Sequence, residues 1–152
     1  MARAIGTALP ISFKQSVEIC SFIKNRSVND AKKILQNVAE KKTAIPFKRY
    51  NWDLGHKRKI GPGSYPEKAS KEFIMLIESA ESNAQFKGLN TSNLAIAHIS
   101  AHKAGKAWHF GRKSRRKMKR TNIEIVVEER KKEEKETAGK LKHEKERQNL
   151  TK

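Results

Sequence analysis

One cysteine, Cys20, stands among 152 residues. A lone thiol excludes an internal disulfide framework and a cysteine-built structural zinc site made by this chain alone. Long apolar runs are also missing. The longest is Phe73 to Ile77, far short of the roughly 20 residues that span a bilayer. The apolar stretch within residues 1–12 is too short to read as a secretory signal. Acidic residues are few, with Asp and Glu totalling 16 against 34 Lys and Arg, for a net charge of +18. Between Glu81 and Glu124 there are none at all. A chain of this kind is expected to be intracellular and soluble, with a polyanion as its partner.

With 36% hydrophobic and 33% charged residues, the chain affords one modest core only if its apolar residues are concentrated. Periodicity shows where. Ser12 opens a helical stretch to Lys24 with Phe13, Val17, Cys20 and Ile23 on one face, and Asn25 suits the left-handed turn that ends it. Ser27, followed by Asp30, caps a second helix whose apolar face is Val28, Ala31, Ile34 or Leu35, and Val38. The two form a tight helix–turn–helix pair. The spacing Ser64 to Glu67 predicts a capping box and a third helix starting at Ser64. Its buried stripe is Ala69, Phe73, Leu76 or Ile77, Ala80 and Ala84, and Gly88 ends it. Residues 93–102 and 121–128 read as strands, the second from the alternation of Ile123, Ile125 and Val127 with Glu124 and Glu128. No internal repeat is present.

The positive excess falls on two segments. The first is the basic loop 43–65, broken by Pro46, Gly55, Gly61, Pro62 and Gly63. It carries Lys48, Arg49, Tyr50, His56, Lys57, Arg58 and Lys59, with Phe47, Trp52 and Tyr65 interleaved. Disordered linkers are poor in aromatics, so this loop is expected to be ordered, with a partner supplying the order. The second segment is HKAGKAWHFGRKSRRKMKR, from His102 to Arg120. It joins the two strands and predicts an extended β-hairpin over 94–128. Its cations are Lys103, Lys106, Arg112, Lys113, Arg115, Arg116, Lys117, Lys119 and Arg120. Extended throughout, the arm would project about 30 Å at roughly 3.3 Å per residue. Arg and Lys at this density suit phosphates, and Trp108, His109 and Phe110 suit exposed bases. The tail 130–152 interleaves acids and bases and reads as a charged helical or disordered segment.

Other chemistries find little support. His98 and His102 are four apart, but no Glu follows His98 and no third metal ligand is evident. Gly61-Pro62-Gly63 lacks the Gly-Lys-Ser/Thr that would make it a phosphate loop. The cations lie outside amphipathic helices, which argues against a membrane surface. No metal, cofactor or enzymatic activity is expected.

The ordered blocks resemble the large-subunit ribosomal protein L twenty-two family, called L seventeen in older eukaryotic nomenclature. The resemblance runs from Ala8 to Glu129. It rests on SFKQSVEICSFIKNRSVNDAKKIL, AIPFKRYN (Ala44 to Asn51), GSYPEKASKEFIMLIESAESNAQFKGL (Gly63 to Leu89), AIAHISAHKA and NIEIVVEE (Asn122 to Glu129). The second and third of these are similar to the archaeal and eukaryotic branch. The resemblance implies an α+β domain, residues 1–129, of three helices on a small antiparallel sheet with a long protruding basic hairpin. It implies a non-enzymatic structural constituent of the large subunit, located in the cytoplasm, bound to large-subunit rRNA and neighbouring ribosomal proteins. No homo-oligomer and no membrane contact are implied. The hairpin tip, Trp108, His109, Phe110, Gly111 and Arg112, is implied to approach the peptide exit tunnel, where a nascent peptide is a candidate contact. Gly111 and Arg112 match the family's tip pattern, whereas Trp108 replaces its first arginine, and the arm is a few residues shorter. The alternative is a free-standing RNA-binding regulator. That function calls for a base-reading helix with a face rich in Arg, Asn and Gln, which none of the three helices carries.

Overall fold

The computed structural model describes residues 1–130. Three strands form the main sheet in the order β1-β6-β5, all antiparallel, from β1 (Ala2–Leu9), β6 (Thr121–Glu129) and β5 (Leu94–Lys103). Three helices cover one face: α1 (Phe13–Ile23), α2 (Val28–Ala39) and α3 (Glu67–Phe86). α3 lies on β1 and β6, α1 lies on β5, and α2 packs on α3. This is the expected α+β arrangement, with the second sheet face left to solvent.

Strand alternation puts Ile123, Ile125 and Val127 of β6 into the core, against Ile96 and Ile99 of β5 and Phe73 and Ile77 of α3. Of the paired helix alternatives, Leu35 and Ile77 are the buried members, while Ile34 and Leu76 sit at the margin. Asn25 takes the left-handed conformation at φ 63°, and Gly88 does so at φ 73°, ending α1 and α3 as their positions predict. Ser27 caps α2, its hydroxyl accepting from the Asp30 N–H at 3.1 Å.

The structure corrects three expectations. β1 had no counterpart in the sequence reading. Its inward residues are Ala2, Ala4 and Gly6, and Ile5 points outward, so no stripe of large apolar residues marks its inner face. The small inner face lets α3 approach: a Cβ at Gly6 would lie 3.1 Å from Leu76 Cδ1. Second, α3 begins at Glu67 with Pro66 at its N-cap, not at Ser64. Ser64 is instead in a short strand, Gly61–Ser64, paired with Ile45, so its backbone is already committed to a sheet. Third, the inward face of α1 is Ser16, Ile19, Cys20 and Ile23, and Phe13 and Val17 lie half-exposed beside it. Ser12 occupies the N-cap of α1 without a side-chain capping bond.

The basic loop also has its own architecture. Strands β2 (Ile45–Pro46), β4 (Gly61–Ser64) and β3 (His56–Lys57) make a second small antiparallel sheet in that order. Ala44, Ile45 and Phe47 are buried, and the Phe47 N–H donates to the Pro62 carbonyl at 2.9 Å. The loop therefore does bury part of itself, contrary to the expectation that a partner must order it. The tail reading covers residues that, from 131 on, lie outside the described chain.

Candidate nucleic-acid interface

The arm grows out of the main sheet. The β5–β6 ladder runs to the pair Lys103 and Thr121, and the Ala104 N–H then reaches the Arg120 carbonyl at 3.3 Å. Regular pairing lapses over the next few residues and resumes near the tip. There the Met118 N–H donates to Ala107 O at 2.8 Å, and the His109 N–H donates to Arg116 O, also at 2.8 Å. Trp108 and Lys117 form an isolated bridge between these bonds. A short 3-10 turn, Gly111–Lys113, closes the arm, with Gly111 at φ 64° and Arg115 at φ 66°. The hairpin is thus antiparallel at its base and near its tip, but it is not two regular strands throughout.

Its side chains face water. Phe110 is 86% exposed and Trp108 is 59% exposed, with Lys117 Nζ held 4.6 Å from the Trp108 ring centroid. Such a cation over an indole keeps both groups at the surface in a fixed relation. Among the described residues, no ion pair involves an arm cation: the five present join Arg3 to Glu124, Lys32 to Glu81, Lys41 to Glu67, Lys42 to Glu40 and Arg130 to Glu128. The arm's positive field is therefore not cancelled locally.

The loop is held from below by a residue the sequence reading passed over. Glu18 of α1 is only 3% exposed. Its Oε1 accepts from the N–H groups of Arg49 at 2.9 Å and Tyr50 at 2.8 Å, and its Oε2 accepts from that of Lys48 at 3.1 Å. Three successive backbone donors converge on one carboxylate, which offsets the cost of burying its charge. The effect is to present the Lys48, Arg49 and Tyr50 side chains outward. The sequence clue was an acid set between Val17, Ile19 and Cys20 on the apolar side of the helix.

Phe13 and Lys14 were missed as well. The Tyr50 ring meets the Phe13 ring edge-on, with centroids 6.3 Å apart. Arg49 lies 5.6 Å and Lys14 5.9 Å from the Tyr50 centroid, and Lys103 lies 5.5 Å from that of Phe13. Arg49, Tyr50 and Lys103 thus converge on the start of α1, joining the loop to the base of the arm. His102 is exposed nearby on β5, its Nε2 3.1 Å from Ser100 Oγ. His56, Lys57, Arg58 and Lys59 sit apart on the β3–β4 hairpin, where Lys57 lies 5.5 Å from the Tyr65 ring. Arg112 to Lys117 lie apart again, at the arm's tip. Cys20, buried under α1, has its thiol pushed up to about 12 by desolvation, so it stays neutral. No cluster of metal-ligating side chains occurs among the described residues, and no helix among them is long and apolar enough to cross a membrane.

The family described as ribosomal protein L22p/L17e matches residues 4–128. The chain belongs to that family. Its relatives include large ribosomal subunit protein uL22 of Archaeoglobus fulgidus, 40% identical over 85% of this chain and 88% of the relative. The proteins of the same name from Methanoregula boonei and Methanoculleus marisnigri are 44% and 42% identical, each covering 85% of this chain and 90% of the relative. These relatives are archaeal, in line with the branch that the Ala44 to Asn51 and Gly63 to Leu89 blocks resemble. The family is structural rather than enzymatic, and the matched span takes in all three helices, the whole arm, the small sheet and all of the main sheet but the outer ends of β1 and β6.

Proposed function

We propose that this chain is a structural constituent of the large ribosomal subunit in the cytoplasm, binding large-subunit rRNA through the arm and the basic loop. The observation that carries the reading is the acid-free stretch of the hairpin from His102 to Arg120, whose cations make no local ion pair among the described residues and which is joined to a family-matched domain. Lys and Arg on the arm neutralise phosphates that would otherwise repel one another, and so pin RNA segments together. Lys103, Lys106, Lys119 and Arg120 act at the base, and Arg112, Lys113, Arg115, Arg116 and Lys117 towards the tip. Lys48, Arg49, Tyr50, His56, Lys57, Arg58 and Lys59, with His102 beside the base, form the remaining contacts. The tip, from Trp108 to Arg112, points towards the peptide exit tunnel, and its exposed Trp108 and Phe110 suit contact with rRNA bases or a nascent chain.

Cosedimentation tests the assignment. The chain is expected in the large-subunit peak of a sucrose gradient and to remain there through a moderate salt wash. Large subunits migrating without it, while the chain runs with free RNA or stays at the top, would favour the free-standing regulator instead.

A further inference from the structure

Two hollows adjoin at the start of α1, with Phe13 as their shared wall. The first, about 350 Å³, is lined by Phe13, Val17, Cys20, Arg49, Tyr50 and Ile99. Cys20, buried and neutral, Val17 and Ile99 give it an apolar floor, its rim carries an aromatic ring beside a guanidinium, and Ser21, Lys24 and Ser100 add polar edges. That is the composition of a seat for a flat, polar-edged ring, which stacks on tyrosine or on an arginine plane. The second hollow, about 280 Å³, is lined by Phe13, Lys14, Lys103, Lys106, Lys119 and Arg120. Five cations and no carboxylate face it, the composition of a seat for a phosphate.

We propose that the pair of hollows holds one splayed-out RNA nucleotide. Its base lies against Tyr50 in the first hollow, and its backbone phosphate lies among the lysines of the second. An intact A-form helix cannot do this, because its bases stay stacked on one another and offer no free face to a tyrosine ring. The juxtaposition also explains why α1 begins with a half-exposed aromatic. Phe13 faces both hollows, with Tyr50 on one side and Lys103 on the other. Glu18, one turn further along α1, sets the position of Tyr50 through its backbone. The inference rests on the rRNA-binding reading and goes beyond it by naming the element of RNA recognised.

The test has two arms. In binding of the full chain to purified large-subunit rRNA at fixed salt, Tyr50→Leu is expected to weaken affinity about tenfold, the loss of one base stack. Tyr50→Phe, which keeps the ring, should restore it. Lys14→Gln should reduce the magnitude of the log K against log salt slope by roughly 0.7–0.9. Tyr50→Leu binding as tightly as the native chain would overturn the proposal, as would Tyr50→Phe binding as weakly as Tyr50→Leu. In a density map of large subunits, the expected feature is a single unstacked base on Tyr50. RNA on the arm with the first hollow filled by protein or left without a base overturns the nucleotide seat alone. A map with no RNA on the arm, the loop or either hollow overturns the rRNA-binding reading itself.

Discussion

Replacing Glu18 with alanine should release the segment that carries Lys48, Arg49 and Tyr50. Hydrogen bonds to a charged acceptor are worth roughly 1.5–3 kcal/mol each. Three of them converge on Glu18 at 2.8–3.1 Å. The loop amides are only part-buried, so water recovers some of the loss once the carboxylate is gone. A net local cost of about 2–4 kcal/mol is the resulting expectation. Amide hydrogen exchange measures it directly, because a 2 kcal/mol local destabilisation speeds exchange about thirtyfold. The amides of Lys48, Arg49 and Tyr50 should speed up by at least that much, while those of Ile123 and Ile125 in β6 serve as an internal reference. Glu18→Gln makes a sharper demand. The glutamine can keep an oxygen where Oε1 accepts from Arg49 and Tyr50, but must turn its own N–H₂ towards the Lys48 N–H. Lys48 should then exchange fastest of the three. Unchanged exchange at all three positions in a folded Glu18→Ala protein would refute the clamp. Uniform acceleration across β6 as well would show that Glu18 acts on global stability and not on the loop.

Other consequences are open to direct measurement. Deleting residues 105–118 should leave one cooperative thermal transition, because the described core residues all lie outside that segment; loss of cooperativity would contradict it. Changing Arg115, Arg116 and Lys117 to glutamine should weaken rRNA binding and reduce the magnitude of the log K against log salt slope by about two to three, at roughly 0.7–0.9 per phosphate contact released. For Cys20, burial raises the thiol from 9.0 to about 12 in the folded chain. The unfolded chain therefore ionises first as pH rises. The stability contributed by the neutral thiol is complete below about pH 9 and is lost progressively towards pH 12. Urea midpoints measured across that range should fall less steeply in Cys20→Ala, and at pH 8 the native thiol should react with labelling reagents far more slowly than the unfolded one.

Much of the fold was legible because helical and strand periods place apolar residues on one face, and solvent exclusion selects that face. Ala69, Phe73, Ala80 and Ala84 of α3, with Ile123, Ile125 and Val127 of β6, needed no partner to be read as core. Asn25 and Gly88 were legible because few residues tolerate the left-handed conformation that ends a helix. β1 was not, since its inner face is built from Ala2, Ala4 and Gly6. Small residues there answer to the nearness of α3, a fact that no local pattern contains. Ser64 misled for a related reason: its capping spacing is local, but pairing with Ile45 decides where its backbone goes.

The same division holds for the interface. Sequence alone determined that the charge lies on the arm and the loop, because charge and its separation from carboxylates along the chain are properties of composition. It also determined the family, through several blocks in order. Tertiary structure decided how those charges are arranged. Only folding brings Glu18 under the backbone of residues 48–50, and Phe13 and Lys14 between Tyr50 and Lys103. Phe13 had the spacing of a core residue, yet α1 is rotated so that Ile19 and Ile23 take the core and Phe13 faces the hollows. Helix rotation follows from packing against β5 and the loop together, a competition between faces that a single helix's period cannot settle.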